Sequence, residues 1–211
     1  MTPPTDADTA FRRLCADVAQ CRRCPAMEGR CRVLSPANGP LAARVLFVAE
    51  APGRLGAERS GVPLSGDASG RHFEALLAAV GWRRADVFVT NAALCNPRAP
   101  DGNRNRRPTE TELAACAAHL RRQLDLVAAP VVAPLGAVAL AALSRIAPHS
   151  LTLAASAGQA QPWAGRWLFP LYHPSPRALL HRTEAEQGAD MHALRRFVDG
   201  LPLSAESGGR R

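Results

Sequence analysis

Arg44-Val-Leu-Phe-Val-Ala-Glu-Ala-Pro-Gly53 is the stretch that decides the fold. Five consecutive apolar residues, bounded by Arg44 and Glu50, leave no polar face for water. Such a run suits a strand buried on both sides, as in a parallel sheet. It ends abruptly at Glu50 and Pro52, and a Gly/Ser-rich loop follows, APGRLGAERSGVPLSGDASG.

Further along, the same grammar repeats. RHFEALLAAVG has helical spacing and a glycine stop; DVFVTNAALC (Asp86–Cys95) reads as a second strand. TETELAACAAHLRRQLDLV opens with Thr109 as N-cap and Glu112 three residues on, a capping-box signature. PVVAPLG is a third strand with AVALAALSRI as its helix, and GRWLFPLYHPS (Gly165–Ser175) is a fourth strand. Helices are expected near Ala10–Val18 and Asp190–Val198. Strands alternating with helices predict a three-layer α/β/α domain with a central, mostly parallel four-stranded sheet. The expected division is an N-terminal helix and extension over 1–20, the α/β domain over 21–200, and a frayed, flexible tail over 201–211, ending SAESGGRR.

In such a sheet, ligands sit outside the carboxyl ends of the strands. Here those ends carry Glu50-Ala51-Pro52-Gly53, Asn91, Gly136 and His173-Pro174-Ser175. A carboxylate, an amide and an imidazole therefore converge by topology alone.

The 211 residues suffice for one domain with a proper core. The formal net charge is +8, and all 26 basic residues are arginine. That excess favours a polyanionic partner such as nucleic acid. The absence of lysine removes a lysine Schiff base from the available chemistry. The longest apolar stretch, Leu124–Leu143, contains prolines, a glycine and an aspartate, so it reads as strand–turn–helix and not as a membrane span. No signal-peptide pattern is visible at the start. The expectation is a cytoplasmic, nucleoid-associated monomer, with no membrane partner.

Three of six cysteines fall within CRRCPAMEGRCRV, at Cys21, Cys24 and Cys31. A disulfide staple, a zinc knuckle, a redox pair and iron–sulfur ligation all use such spacing, and a cytoplasmic setting disfavours the first.

Taken together, four segments resemble the uracil-DNA glycosylase superfamily, in its iron–sulfur branches. VAEAPG is similar to the first motif of family 4, and LSGDASG to a loop of family 5. VTNAALCNP resembles the second-strand segment, and LYHPS the closing His-Pro-Ser motif. The likeness runs from about Cys21 to Arg182. It implies a DNA repair glycosylase that hydrolyses the N-glycosidic bond of uracil or a related deaminated base, is monofunctional, and leaves an abasic site. The alternatives are a catalytically weakened damaged-DNA-binding protein and a cluster-gated redox sensor on DNA.

The resemblance also assigns residues. Cys21, Cys24, Cys95 and Cys116 match the ligands of a 4Fe-4S cluster, although a four-cysteine zinc site uses the same donors and spacing leaves it open. Cys15 and Cys31 fall outside the pattern. Asp67 or Glu50 would position the attacking water, with Asp67 slightly preferred; as a bland alternative Asp67 caps the helix that follows it. Asn91 would read the pyrimidine edge and His173 would donate to the departing base. Ala51 and Gly53 would offer backbone N–H groups. Leu64 stands where the family usually has a stacking phenylalanine. Ser175 and Arg177 would contact phosphates, and Leu179 or Leu180 would wedge into the vacated stack. The basic loop NRNRRP (Asn103–Pro108) lies where a related branch carries a covalently reacting histidine. No histidine occurs between Cys95 and Cys116, so covalent capture is not expected.

Overall fold

The computed structural model describes residues 5–202. In chain order its main elements are α1 (Asp6–Ala19), β1 (Val45–Ala49), α2 (Ala57–Ser60), α3 (Ala68–Ala79) and β2 (Phe88–Asn91). Then come α4 (Glu110–Val127), β3 (Val131–Pro134), α5 (Ala137–Ser144), α6 (Leu153–Ser156), β4 (Gln161–Trp163), β5 (Arg166–Leu168) and α7 (Glu184–Gly200).

The sheet has five strands in the order β2-β1-β3-β5-β4. All neighbours pair in parallel except β4 and β5. The expected count of four is therefore corrected to five, because β4 escaped the sequence reading. Pro162 breaks its alternation, and only three residues pair. What creates it is the turn Ala164-Gly165, where both residues adopt positive φ (47° and 75°). Two consecutive left-handed residues make the tight hairpin turn whose twist matches antiparallel strands. The strand expected over Gly165–Ser175 is also shorter, although Phe169 and Leu171 still donate to Val132 and Pro134 carbonyls beyond its regular part.

Alternate β1 residues face opposite layers. Leu46 and Val48 pack with Phe11, Leu14 and Val18 of α1 and with Leu120 and Leu124 of α4. Val45, Phe47 and Ala49 pack with Phe73 and Leu77 of α3 and with Met191, Leu194 and Val198 of α7. The run is apolar throughout because both faces are covered. α1 starts four residues earlier than its apolar pattern, at a Thr5–Asp8 capping box. α7 starts at a Thr183–Glu186 box and so extends well before Asp190. The Thr109–Glu112 box of α4 is present as read. Of the expected tail, residues 203–211 lie outside the described residues.

The connection from β1 through α3 leads to β2 on one side, and that from β2 through α4 leads to β3 on the other. The winding direction reverses between β1 and β3. Loops leaving these two strands diverge there and open a crevice. No helix among the described residues is long and apolar enough to cross a membrane.

Candidate active site

A cleft of about 670 Å³ opens at that reversal, lined by Glu50, Ala51, Pro52 and Gly53 after β1 and by Leu135 and Gly136 after β3. Tyr172, His173 and Ser175 line it from the chain beyond β5, and Leu64 and Asp67 from the loop before α3. Its size suits a nucleoside-sized ligand. Gly136 has φ +95°, and a Cβ there would meet the His173 Cβ at 3.4 Å. The close approach lets the imidazole reach the cleft.

Two carboxylates face this space differently. The Asp67 Oδ1 accepts from the Gly70 N–H at 2.9 Å and caps α3. Its Oδ2 lies against the glycine loop, so close that a Cβ on Gly56 would sit 2.6 Å away. Glu50 makes no side-chain hydrogen bond among the described residues. Burial pushes its carboxyl above the usual range, and the Arg107 guanidinium opposes that shift.

His173 is half-buried, and desolvation lowers its pKa to about 4, with Asp67 partly opposing. The imidazole is therefore neutral near pH 7 and carries one N–H to donate. The backbone N–H groups of Ala51 and Gly53 likewise have no partner among the described residues.

Asn91 behaves differently from the sequence expectation of a base-reading amide on the cleft surface. It ends β2 opposite Ala49 and is 1% exposed. It does not line the cleft, and its Nδ2 has no hydrogen-bond partner. Orphaned buried donors are costly, and this one ends the strand opposite Ala49, the residue before Glu50.

Several cleft residues were missed by sequence reading, and five of them, Asn96, Pro97, Asn105, Arg106 and Arg107, belong to the loop between Cys95 and Pro108. Backbone bonds between Ala99 and Arg104 and between Arg106 and Pro97 fold that loop into a tongue. Buried Asn96 donates to the Pro52 carbonyl at 2.5 Å and to Asn105 Oδ1 at 3.0 Å. Asn105 Oδ1 also accepts from the Arg54 N–H. Arg98 pairs with Glu58, and Arg106 forks onto Glu112. Asn105 and Arg107 thereby reach the cleft. Their signal in the sequence was only a run of charge, which reads equally as a solvated loop.

Beyond His173, Arg177, Ala178 and His181 line the cleft on a short helical turn that also carries Leu179 and Leu180. Leu180 is 81% exposed, whereas Leu179 is half-buried. Arg182 forks onto Asp190, and its carbonyl accepts from Gln187, anchoring the turn to α7.

The four matched cysteines approach one another from three segments. Cys116 is buried, while Cys21, Cys24 and Cys95 are half-buried. Burial pushes the Cys95 thiol up to about 12, and the neighbouring sulfurs of Cys116, Cys21 and Cys24 add to the shift. Buried thiols that repel one another as thiolates suit a polycationic centre, which would reverse both penalties. The Leu94 backbone hydrogen bond and the Arg23 charge act in the opposite sense on Cys116. Among the described residues no three His, Cys, Asp or Glu side chains converge as they would around a single metal ion. Four cysteine thiolates are the donor set that a 4Fe-4S cluster takes, so the residues present fit that group. Cys31 is exposed and Cys15 packs against the core, apart from this group.

A switch-point cleft with an unbonded carboxylate, a neutral imidazole and free backbone donors coincides with a match to the family model described as uracil DNA glycosylase superfamily, over residues 36–194. The chain belongs to that superfamily. A type-4 uracil-DNA glycosylase of Thermotoga maritima is 33% identical over 75% of this chain and 78% of its own length. The type-4 enzyme of Archaeoglobus fulgidus is 30% identical over 81% and 83%. A type-5 uracil-DNA glycosylase of Pyrobaculum aerophilum is 32% identical over 67% and 65%. Similarity to both types accords with a superfamily member whose loops carry both VAEAPG and LSGDASG.

Proposed function

We propose that the protein hydrolyses the N-glycosidic bond of uracil or a related deaminated base in DNA and releases the free base, leaving an abasic sugar. The observation that carries this reading is the set of unbonded polar groups at one cleft: Glu50, the neutral His173 and the N–H groups of Ala51 and Gly53.

Their chemistry is complementary to glycosidic cleavage. As the C1′–N bond breaks, the sugar gains oxocarbenium character and the base departs as an anion. Glu50, held by no other partner, can hold a water beneath C1′ and oppose the positive charge. The water oxygen bonds to C1′, and its proton is taken up by the carboxylate or solvent. His173 donates to the base oxygen where negative charge gathers. A neutral donor is suited to this, since it leaves the leaving anion free to depart. Asp67 was the slightly preferred carboxylate on sequence grounds. Its capping bond to Gly70 favours Glu50 for the water and leaves Asp67 to shape the glycine loop.

The base must leave the helix to reach such a cleft. Arg177 and Ser175 would hold phosphates beside the rim, and Leu180, the more exposed of the paired leucines, would fill the gap. Asn91 would pair its orphaned amide with the base edge if the floor opens by a side-chain shift. Leu64 would support one base face. Cys21, Cys24, Cys95 and Cys116 would hold a 4Fe-4S cluster whose contribution is structural, tying the N-terminal segment to β2 and α4. The protein would act as a monomer on DNA in the cytoplasm, at the nucleoid.

The test is a panel of oligonucleotides containing uracil, hypoxanthine or xanthine, single- and double-stranded, incubated with iron-loaded protein. Release of free base with an alkali-labile abasic site is the expected result. Intact oligonucleotides throughout would overturn the reading, and strand cleavage without alkali would overturn its monofunctional part.

A further inference from the structure

Arg107 has no assigned part in the site, yet this exposed arginine of the tongue lines the cleft beside Arg106. Its backbone is clamped on both sides. Arg106 forks onto Glu112 at 2.6 and 2.7 Å and donates at 3.0 Å to the Arg107 carbonyl. Pro108 is buried, and Thr109 caps α4. The other tongue arginines are committed: Arg98 to Glu58, Arg104 to Asp101 and Arg106 to Glu112. Arg107 has no ion pair among the described residues, and it lines the same cleft as Glu50.

We propose that Arg107 is a positioning residue that keeps Glu50 ionised inside the cleft, delivered there by the tongue. The inference rests on the glycosylase reading, in which Glu50 must be a carboxylate to hold water. Glu50 needs such help because burial favours its protonated form, and Arg107 is the charge that opposes this. Other groups around the cleft do not supply it. Asp67, from the cap of α3, is of like sign. His173 is neutral near pH 7. Tyr172, Arg177 and His181 line the cleft from the chain beyond β5, and none of them is a charge that acts on Glu50 as Arg107 does. The fixed backbone of residues 106–109 distinguishes Arg107 from an ordinary solvated arginine: the loop cannot swing away without breaking the Arg106–Glu112 fork.

The test compares wild type, Arg107→Gln and Arg107→Lys by single-turnover base release across pH, on one uracil-containing single strand at saturating enzyme. The acid limb reports the carboxylate that must be ionised. Arg107→Gln is expected to move that limb to higher pH, leaving the plateau at high pH nearly unchanged, and Arg107→Lys to restore most of the wild-type position. A purely phosphate-binding Arg107 gives another pattern: an unmoved limb, weaker DNA binding and a salt dependence lowered by about one counterion. That result would overturn the proposal. Carbon-13 NMR titration of the Glu50 carboxylate, assigned with Glu50→Gln, measures the same linkage without turnover. If wild type releases no base, the functional reading fails alone, and the NMR shift between wild type and Arg107→Gln still decides the role of Arg107.

Discussion

The tongue and the cleft lie side by side and treat their polar groups in opposite ways. In the tongue nearly every one is matched: Arg106 with Glu112, Arg98 with Glu58, Asn96 with Pro52 and Asn105. In the cleft, Glu50 and His173 make no side-chain hydrogen bond among the described residues, and at the neighbouring strand end the buried Asn91 Nδ2 is likewise without a partner. Unmatched groups cost stability. Their concentration at one strand-end crevice teaches that this surface is shaped for a ligand, and that the tongue is the frame holding it open.

The comparison breaks most readily at Arg106. Arg106→Ala would leave Glu112, whose side chain is 8% exposed, without its fork. A loss of about 3 kcal/mol is expected, measurable by urea unfolding. An unchanged midpoint would mean the tongue does not depend on this pair.

His173 comes next and acts only in acid. Its folded pKa of about 4 lies below the unfolded value of 6.5, so the unfolded chain binds the extra proton first. Stability attributable to this group is intact above pH 6.5 and falls as pH drops toward 4. Unfolding midpoints of wild type and His173→Gln should therefore diverge across that window, with the variant losing less. Parallel curves would contradict the buried, neutral assignment.

Asp67→Ala removes an N-cap and should cost about 1 kcal/mol, whereas Asp67→Asn should cost less, since an asparagine oxygen still caps. The smallest effect has the opposite sign. Glu50 has a raised carboxyl pKa through burial, so its ionised form strains the fold once pH exceeds the unfolded value. Glu50→Gln is expected to raise the thermal midpoint slightly at neutral pH and to have no such benefit in acid. Destabilisation by this variant would mean that the carboxylate has protein partners after all.

How much of this was legible beforehand follows physical range. β1 and its loop were readable because a buried parallel strand has no polar face, and the α4 start because a capping box is local. The crevice followed from topology, so Glu50, Gly53 and His173 were foreseen at one site. β4 was not, because its existence depends on a two-residue turn and on pairing with β5. Nor was the tongue, since Asn96, Asn105 and Arg107 derive their positions from contacts with Pro52, Arg54 and Glu112 that a linear charge run does not encode. The cap at Asp67 was one of two readings the sequence allowed, and choosing between them needed the observed bond to the Gly70 N–H.

That distinction is the most direct point of attack. Single-turnover base release by iron-loaded Glu50→Gln and Asp67→Asn, on the same uracil-containing single strand, compares the two carboxylates head to head. The prediction is a fall of about 10²–10⁴-fold for Glu50→Gln and a much smaller one for Asp67→Asn. The reverse order, with Asp67→Asn inactive and Glu50→Gln near wild type, would contradict the account.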